Sequence, residues 1–238
     1  MTWIYLSPHL DDIALSLGGL LWRQSLAGER ISVWTICAGD APSGPLSPFA
    51  RALHRRWGVG REATAVRRAE DIESCRVLEV AYRHFSLPDC IYRRSLRTGE
   101  PLYATEEAIF GEVHPDEAVL VDQLAQTMKA TLPVDAKIII PWGLGGHVDH
   151  RLTRAAAERL GCPLGYYADY PYVLDVPAWD VGDLTPRQYP ISKAALAKWQ
   201  SAVAAHQSQI STFWASRDEM YAAIQFYVER QAGVTLWC

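Results

Sequence analysis

Apolar residues in this chain fall into short continuous runs separated by stretches with helical spacing. Trp3–Leu6 reads as a buried strand, and Ile13, Leu17, Leu20 and Leu21 behind it keep the period of an amphipathic helix. Ile31–Cys37 is a second strand, β-branched and aromatic. Glu62–Val80 has helical periodicity and leads into a third strand at His84–Leu87, closed by Pro88-Asp89. Glu117–Thr131 is a further helix, Lys137–Trp142 a strand, and Arg151–Leu160 a helix with Leu152, Ala155, Ala156 and Leu160 on one face. Leu164–Leu174 reads as a strand crossed by turn residues, Trp179–Pro190 as turn-rich, and Lys193–Ala205 and Arg217–Gln231 as closing helices. Strands alternating with helices indicate an α/β protein: a three-layer, Rossmann-like domain with a mostly parallel sheet.

Two long segments break the pattern. Ala38–Gly60 is punctuated by glycine and proline, with room for a short helix at Phe49–Trp57, and Ile91–Asp116 is irregular and aromatic. Loops of this length in compact domains are usually functional, so both are expected to border a pocket and set substrate choice.

The chemistry concentrates at two strand ends. Ser7-Pro8-His9-Leu10-Asp11-Asp12 follows the first strand, and Gly143-Leu144-Gly145-Gly146-His147-Val148-Asp149-His150 follows the Lys137–Trp142 strand. In a parallel sheet both loops emerge on one edge, so His9, Asp12, His147, Asp149 and His150 can converge. A bound cation would offset the cost of burying them. Taken alone, the Asp11-Asp12 pair is equally compatible with a turn that caps the following helix. Three N/O ligands with a free position make an open, catalytic type of zinc site, whereas structural sites are closed and usually rich in Cys.

Pro8-His9-Leu10-Asp11-Asp12 together with His147-Val148-Asp149-His150 resembles the PIG-L (LmbE-like) zinc-dependent N-deacetylases, which carry a P-H-P-D-D motif early and an H-x-D-H motif over a hundred residues later. The resemblance includes the helix with Arg67 and Glu70 and the Leu87-Pro88-Asp89 turn, and spans roughly positions 3 to 160. Leu10 stands where that motif has proline, and Ile13 where an acid often follows. Neither position is a metal ligand in the family. The resemblance implies hydrolysis of an acetyl or similar acyl amide on an amino sugar or its conjugate.

That reaction needs an activated water, an oxyanion stabiliser and an acid for the leaving amine. His9, Asp12 and His150 are the expected metal ligands, for Zn²⁺ with Fe²⁺ or Co²⁺ also suited. Asp11 is the expected general base and acid, His147 the oxyanion stabiliser or proton donor, and Asp149 the support of a histidine. By resemblance, Arg67 and Asp89 face the substrate. Tyr166, Tyr167, Tyr170 and Tyr172 are candidates for a sugar platform or for core. His54, His84, His114 and His206 lack acidic partners at obvious spacing and are read as structural or exposed. A metal-dependent phosphoesterase and a catalytically silent sugar-binding protein remain the alternatives.

Composition adds exclusions. At 238 residues, 49% apolar and 21% charged, one soluble domain over residues 1–238 is the default. A net charge of -4 gives no footprint for nucleic acid, and no apolar run approaches a membrane span. The N-terminus has no basic region, and the five cysteines are scattered without a C-x-x-C pair, so they are expected to be small reduced core residues. The expectation is a cytoplasmic enzyme acting on a small molecule, with a homo-oligomer possible.

Overall fold

A computed structural model describes residues 1–238. In chain order the elements are β1 (Thr2–Ser7), α1 (Asp12–Leu26), β2 (Arg30–Thr35), α2 (Pro48–Arg56), α3 (Ala63–Leu78), β3 (Ala81–His84), α4 (Glu106–Ile109), α5 (Ala118–Lys129), β4 (Ala136–Pro141), α6 (Val148–Glu158), β5 (Leu164–Tyr167), β6 (Pro186–Tyr189), α7 (Lys193–Ala205), α8 (Gln207–Phe213), α9 (Arg217–Gln231) and β7 (Val234–Trp237).

The strands form one sheet in the order β3-β2-β1-β4-β5-β7-β6. The first five are parallel; β7 runs antiparallel beside β5 and pairs with β6. Because side chains alternate along a strand, Trp3 and Tyr5 point to one face while Ile4 and Leu6 point to the other. The first face is covered by α1, α3, α7 and α9, the second by α5 and α6. Both faces are apolar, as parallel strands require. No helix is long and apolar enough to cross a membrane.

Gly18 and Gly19 of α1 let α7 approach. A Cβ at Gly18 would sit 2.7 Å from Cδ1 of Trp199, a fully buried side chain whose Nε1 donates to the Leu15 carbonyl at 3.2 Å. The glycine pair is therefore a packing device.

Chain order reverses between β1 and β4, which pair in register from Thr2 with Ala136 to Tyr5 with Ile139. At such a switch point the loops leaving two adjacent strands diverge to opposite faces and open a crevice at their carboxyl ends. Both chemical clusters lie at this crevice.

Three expectations need correction. The third strand is Ala81–His84; Ser86 and Pro88 make only isolated bridges, to Cys37 and Gly39. It is an edge strand with an exposed, polar sequence, so its apolar continuation is the weaker guide. The Arg151–Leu160 helix begins earlier, at Val148, which puts His150 inside its first turn. The region after β5 holds two strands, β6 and β7, and helix α8, none of which the periodicity marks.

Candidate metal centre and active site

The loop after β1 turns sharply into α1. Ser7 Oγ donates to the His9 carbonyl at 2.6 Å and accepts from Ile13 N–H at 3.3 Å. Asp11 occupies the position before α1, yet its side chain makes no capping hydrogen bond. Asp12 Oδ2 instead accepts the His9 backbone N–H at 2.7 Å. Neither aspartate serves as the ordinary cap of its own helix. Both are buried, and both line a cavity of about 260 Å³.

On the β4 side, His147 caps α6: its Nδ1 accepts the Asp149 backbone N–H at 3.2 Å. The preceding Gly143, Gly145 and Gly146 all have positive φ, which lets the loop double back in little space. Asp169, just after β5, accepts the N–H groups of Gly143 and Leu144 at 2.9 and 3.0 Å and fixes that loop.

The two histidines at positions 9 and 150 are held alike. His9 Nε2 meets Asp149 Oδ2 at 3.0 Å, and its Nδ1 lies 3.3 Å from Asp12 Oδ2. His150 Nδ1 meets Asp169 Oδ1 at 2.6 Å, and its Nε2 lies 3.4 Å from Asp12 Oδ1. That last contact is Coulombic; His150 Nε2 is buried and makes no hydrogen bond. Each ring thus has one nitrogen held by a carboxylate and the other turned toward Asp12. This is how proteins orient histidines that bind metal. One ring nitrogen from each of His9, His147 and His150 lies within 4.8 Å of the other two.

Electrostatics point the same way. Burial would lower the pKa of His150, but Asp12 and Asp169 outweigh it and push the ring up to about 9. Burial likewise opposes charge on His9, yet Asp12 and Asp149 hold it well above its usual value. Against burial, His150 and His9 hold Asp12 well below the carboxylate range. Such a site draws in positive charge, and a divalent cation can supply it in place of protons. The buried unbonded imidazole nitrogen, the facing carboxylate and the two carboxylate-held rings fit a metal ion with N/O preference.

His147 differs. Burial, followed by the neighbouring His9, keeps it well below the usual histidine pKa, so the ring is neutral. With Nδ1 accepting from the backbone, the ring proton resides on Nε2. Asp11 is pushed up to about 6 by burial, with Arg67 acting against the shift and Asp12 with it. Arg67 Nη2 lies 3.5 Å from Asp11 and Nη1 3.6 Å from Asp89, while its guanidinium stacks 4.9 Å over Trp57. Asp89 Oδ2 is 4.0 Å from His9 Nε2, and the Asp89 carboxylate also caps the turn at Ile91. Glu70, on the same helix as Arg67, turns away and holds the start of α8 through Ser208.

The cavity wall comes from both irregular segments: Phe49, Leu53, Arg56 and Trp57 from the first, and Ile91, Glu106, Ile109 and Phe110 from the second. Pro42–Ser47 line a separate depression. Tyr172 and Phe213 complete the wall; Phe110 stands edge-on to both His147 and Tyr172. Of the four candidate platform tyrosines, Tyr172 alone lines the cavity; Tyr167 and Tyr170 are core, and Tyr166 stacks on Trp142.

Asp169 belongs to neither motif, although an acid just past the strand beside β4 is a recognisable signal. His84 does have an acidic partner, Asp71 Oδ2 at 2.7 Å, one that sequence spacing does not reveal. Among the cysteines, Cys37, Cys75 and Cys90 are buried and all five are free, but Cys162 and Cys238 are exposed rather than core.

A family model described as PIG-L, GlcNAc-PI de-N-acetylase, matches residues 4–160. The 2'-N-acetylparomamine deacetylase of Niallia circulans is 30% identical over 187 residues, covering 71% of this chain and 66% of that protein. Its namesake from Streptomyces fradiae is 29% identical over 188 residues, covering 75% of this chain and 60% of that protein. The chain thus spans just under two thirds of the length of these curated relatives. The zinc inhibited form of teicoplanin deacetylase Orf2 superimposes over 100% of this chain and 97% of its own, with a TM-score of 0.88 and 27% identity. Matched by the family model over residues 4–160, and carrying both histidine–aspartate motifs at one sheet edge, the chain belongs to the PIG-L family.

Proposed function

We propose that this protein is a metal-dependent N-deacetylase that hydrolyses the acetyl or similar acyl amide of an N-acylated amino sugar or its glycoconjugate. The observation that carries the reading is that Asp12 lies 3.3 Å from His9 Nδ1 and 3.4 Å from His150 Nε2, beside a cavity lined by His9, Asp11, Asp12 and His147. The relatives that are deacetylases support the substrate class.

His9 through Nδ1, Asp12, and His150 through Nε2 would hold the ion, Zn²⁺ by donor preference with Fe²⁺ or Co²⁺ compatible. When bound, a divalent ion polarises the amide carbonyl and brings the pKa of water toward neutrality. Asp11, with a pKa of about 6, is suited to take a proton from the attacking water and return it to the amide nitrogen as the C–N bond breaks. His147 is suited to donate from Nε2 to the oxygen that gains charge, since its tautomer is set by the backbone of α6. Asp149 and Asp169 hold the two ligand rings in rotation and tautomer. Arg67 and Asp89 border the acyl-sugar junction, and Phe110, Tyr172 and Trp57 offer apolar faces for a sugar ring. With this reading go a small-molecule substrate, a single catalytic unit over residues 1–238 and action in the cytoplasm.

The test is a free-amine assay on purified protein across N-acetylated amino sugars and their conjugates, with an aryl phosphate in parallel. Amine and acetate should appear in equal amounts, cease with a chelator and return with Zn²⁺. Phosphate release without amine release would overturn the reading in favour of a phosphoesterase.

A further inference from the structure

Arginine is rarely buried unless paired, yet Arg93 is 8% exposed and has no role in the chemistry above. It leaves a helical turn at Cys90–Tyr92 and points into the protein. Its Nε and Nη2 grip Glu117 at 2.5 and 3.0 Å. Its Nη1 donates to Asp149 Oδ1 at 2.5 Å and to the Pro88 carbonyl at 3.2 Å. Glu117 also accepts from the Tyr103 hydroxyl at 2.7 Å.

The other oxygen of Asp149 is the informative one. Oδ2 takes the Cys90 N–H at 3.0 Å and meets His9 Nε2 at 3.0 Å. The guanidinium therefore pins one oxygen of the carboxylate whose second oxygen sets the His9 ring. A planar fork serving Glu117 and Asp149 at once has the geometry of arginine and not of lysine. Phe110, which forms an isolated bridge with His147, lies on the same stretch between Arg93 and Glu117.

We propose that Arg93 is a positioning residue for the metal centre: through Asp149 it fixes the tautomer and rotation of His9, and through Glu117 it ties that ring to the segment that walls the cavity. The inference rests on the reading of His9 as a metal ligand.

The experiment compares wild type with Arg93→Lys and with the charge-balanced double variant Arg93→Gln/Glu117→Gln. Cooperative unfolding establishes which variants fold. Co²⁺ affinity is then measured by chelator competition, the Co²⁺ absorption spectrum reports ligand geometry, and kcat is separated from KM. A residue that supports a metal ligand through hydrogen bonds typically contributes about 10–100-fold in affinity. The folded variants should lose about 10-fold or more in Co²⁺ affinity, show an altered spectrum and lose kcat with KM little changed. The lysine variant should retain more than the double variant. Folded variants with wild-type affinity and spectrum would overturn the proposal. So would failure of both to fold even with Co²⁺ present, which would make Arg93 a structural anchor. Wild-type protein that retains no Co²⁺ would instead strike the metal reading itself, and the inference would fall with it.

Discussion

Replacing Asp169 by asparagine removes one charge without changing shape, and the consequence can be worked out atom by atom. Oδ1 of Asp169 holds His150 Nδ1 at 2.6 Å, while Oδ2 accepts two backbone N–H groups, from Gly143 and Leu144. An asparagine has one acceptor oxygen and one NH₂. If its oxygen serves His150, the NH₂ faces two N–H donors and leaves them unsatisfied, at about 1–3 kcal/mol each. If its oxygen serves the backbone, the NH₂ faces His150 Nδ1, which must become the acceptor. The ring proton then moves to Nε2, the atom turned toward Asp12 at 3.4 Å, and removes the lone pair a metal needs. The second arrangement costs fewer buried donors, so the Asn variant should fold and lose metal affinity. A loss of about 10–100-fold, or about 1.4–2.8 kcal/mol, is expected from chelator competition with Zn²⁺. Thermal unfolding of the metal-free protein should change little by comparison. An Asn variant with wild-type Zn²⁺ affinity would refute the tautomer argument.

Asp11→Asn should keep near-stoichiometric zinc and lose about 10²–10⁴-fold in kcat, whereas Asp12→Asn should lose zinc and be partly rescued by excess metal; full activity in Asp11→Asn would end its role as proton carrier. Phe110→Ala should raise KM about 10-fold with bound metal intact, since the ring walls the cavity without touching the proposed ligands His9, Asp12 and His150; an unchanged KM counts against the sugar-facing wall. Gly18→Ala should cost about 1–3 kcal/mol by overpacking Trp199, visible as a lower Tm, and leave kcat untouched. Burial drives the His206 pKa down to about 4, so the unfolded chain binds the extra proton below its ordinary pKa. Stability from this group is complete above about pH 6.5 and is lost as pH falls toward 4, about 3 kcal/mol in all. His206→Gln should flatten the acid side of the stability profile, and a parallel shift at all pH values would disprove the assignment.

Much of the framework is legible in the sequence because apolar runs and helical periods are direct consequences of two-sided burial. Trp3–Leu6 and Lys137–Trp142 belong on one edge by their motifs alone, since each ends in a histidine–aspartate loop that opens a helix, and the two strands do pair. The closing helices Lys193–Ala205 and Arg217–Gln231 have the bounds their amphipathic spacing suggests. The failures share a cause. β3 and β6 are short edge strands with polar residues, and β7 is placed between β5 and β6 by long-range pairing that no local pattern encodes. The site is legible where motif and strand end coincide. Asp169, Arg93 and Glu117 act through contacts made only when distant segments fold together; Arg93 in particular stands in an irregular stretch, where its charge gives no sign of being buried against Glu117 and Asp149.

The most direct test of the central claim is anomalous diffraction at the zinc edge from crystals of zinc-loaded protein. One peak is expected within ~2.0–2.2 Å of His9 Nδ1, an Asp12 oxygen and His150 Nε2, with Asp11 and His147 beside it and outside the coordination shell. A peak ligated by Asp11 or His147 in place of these residues, or stoichiometric zinc bound elsewhere, would contradict it.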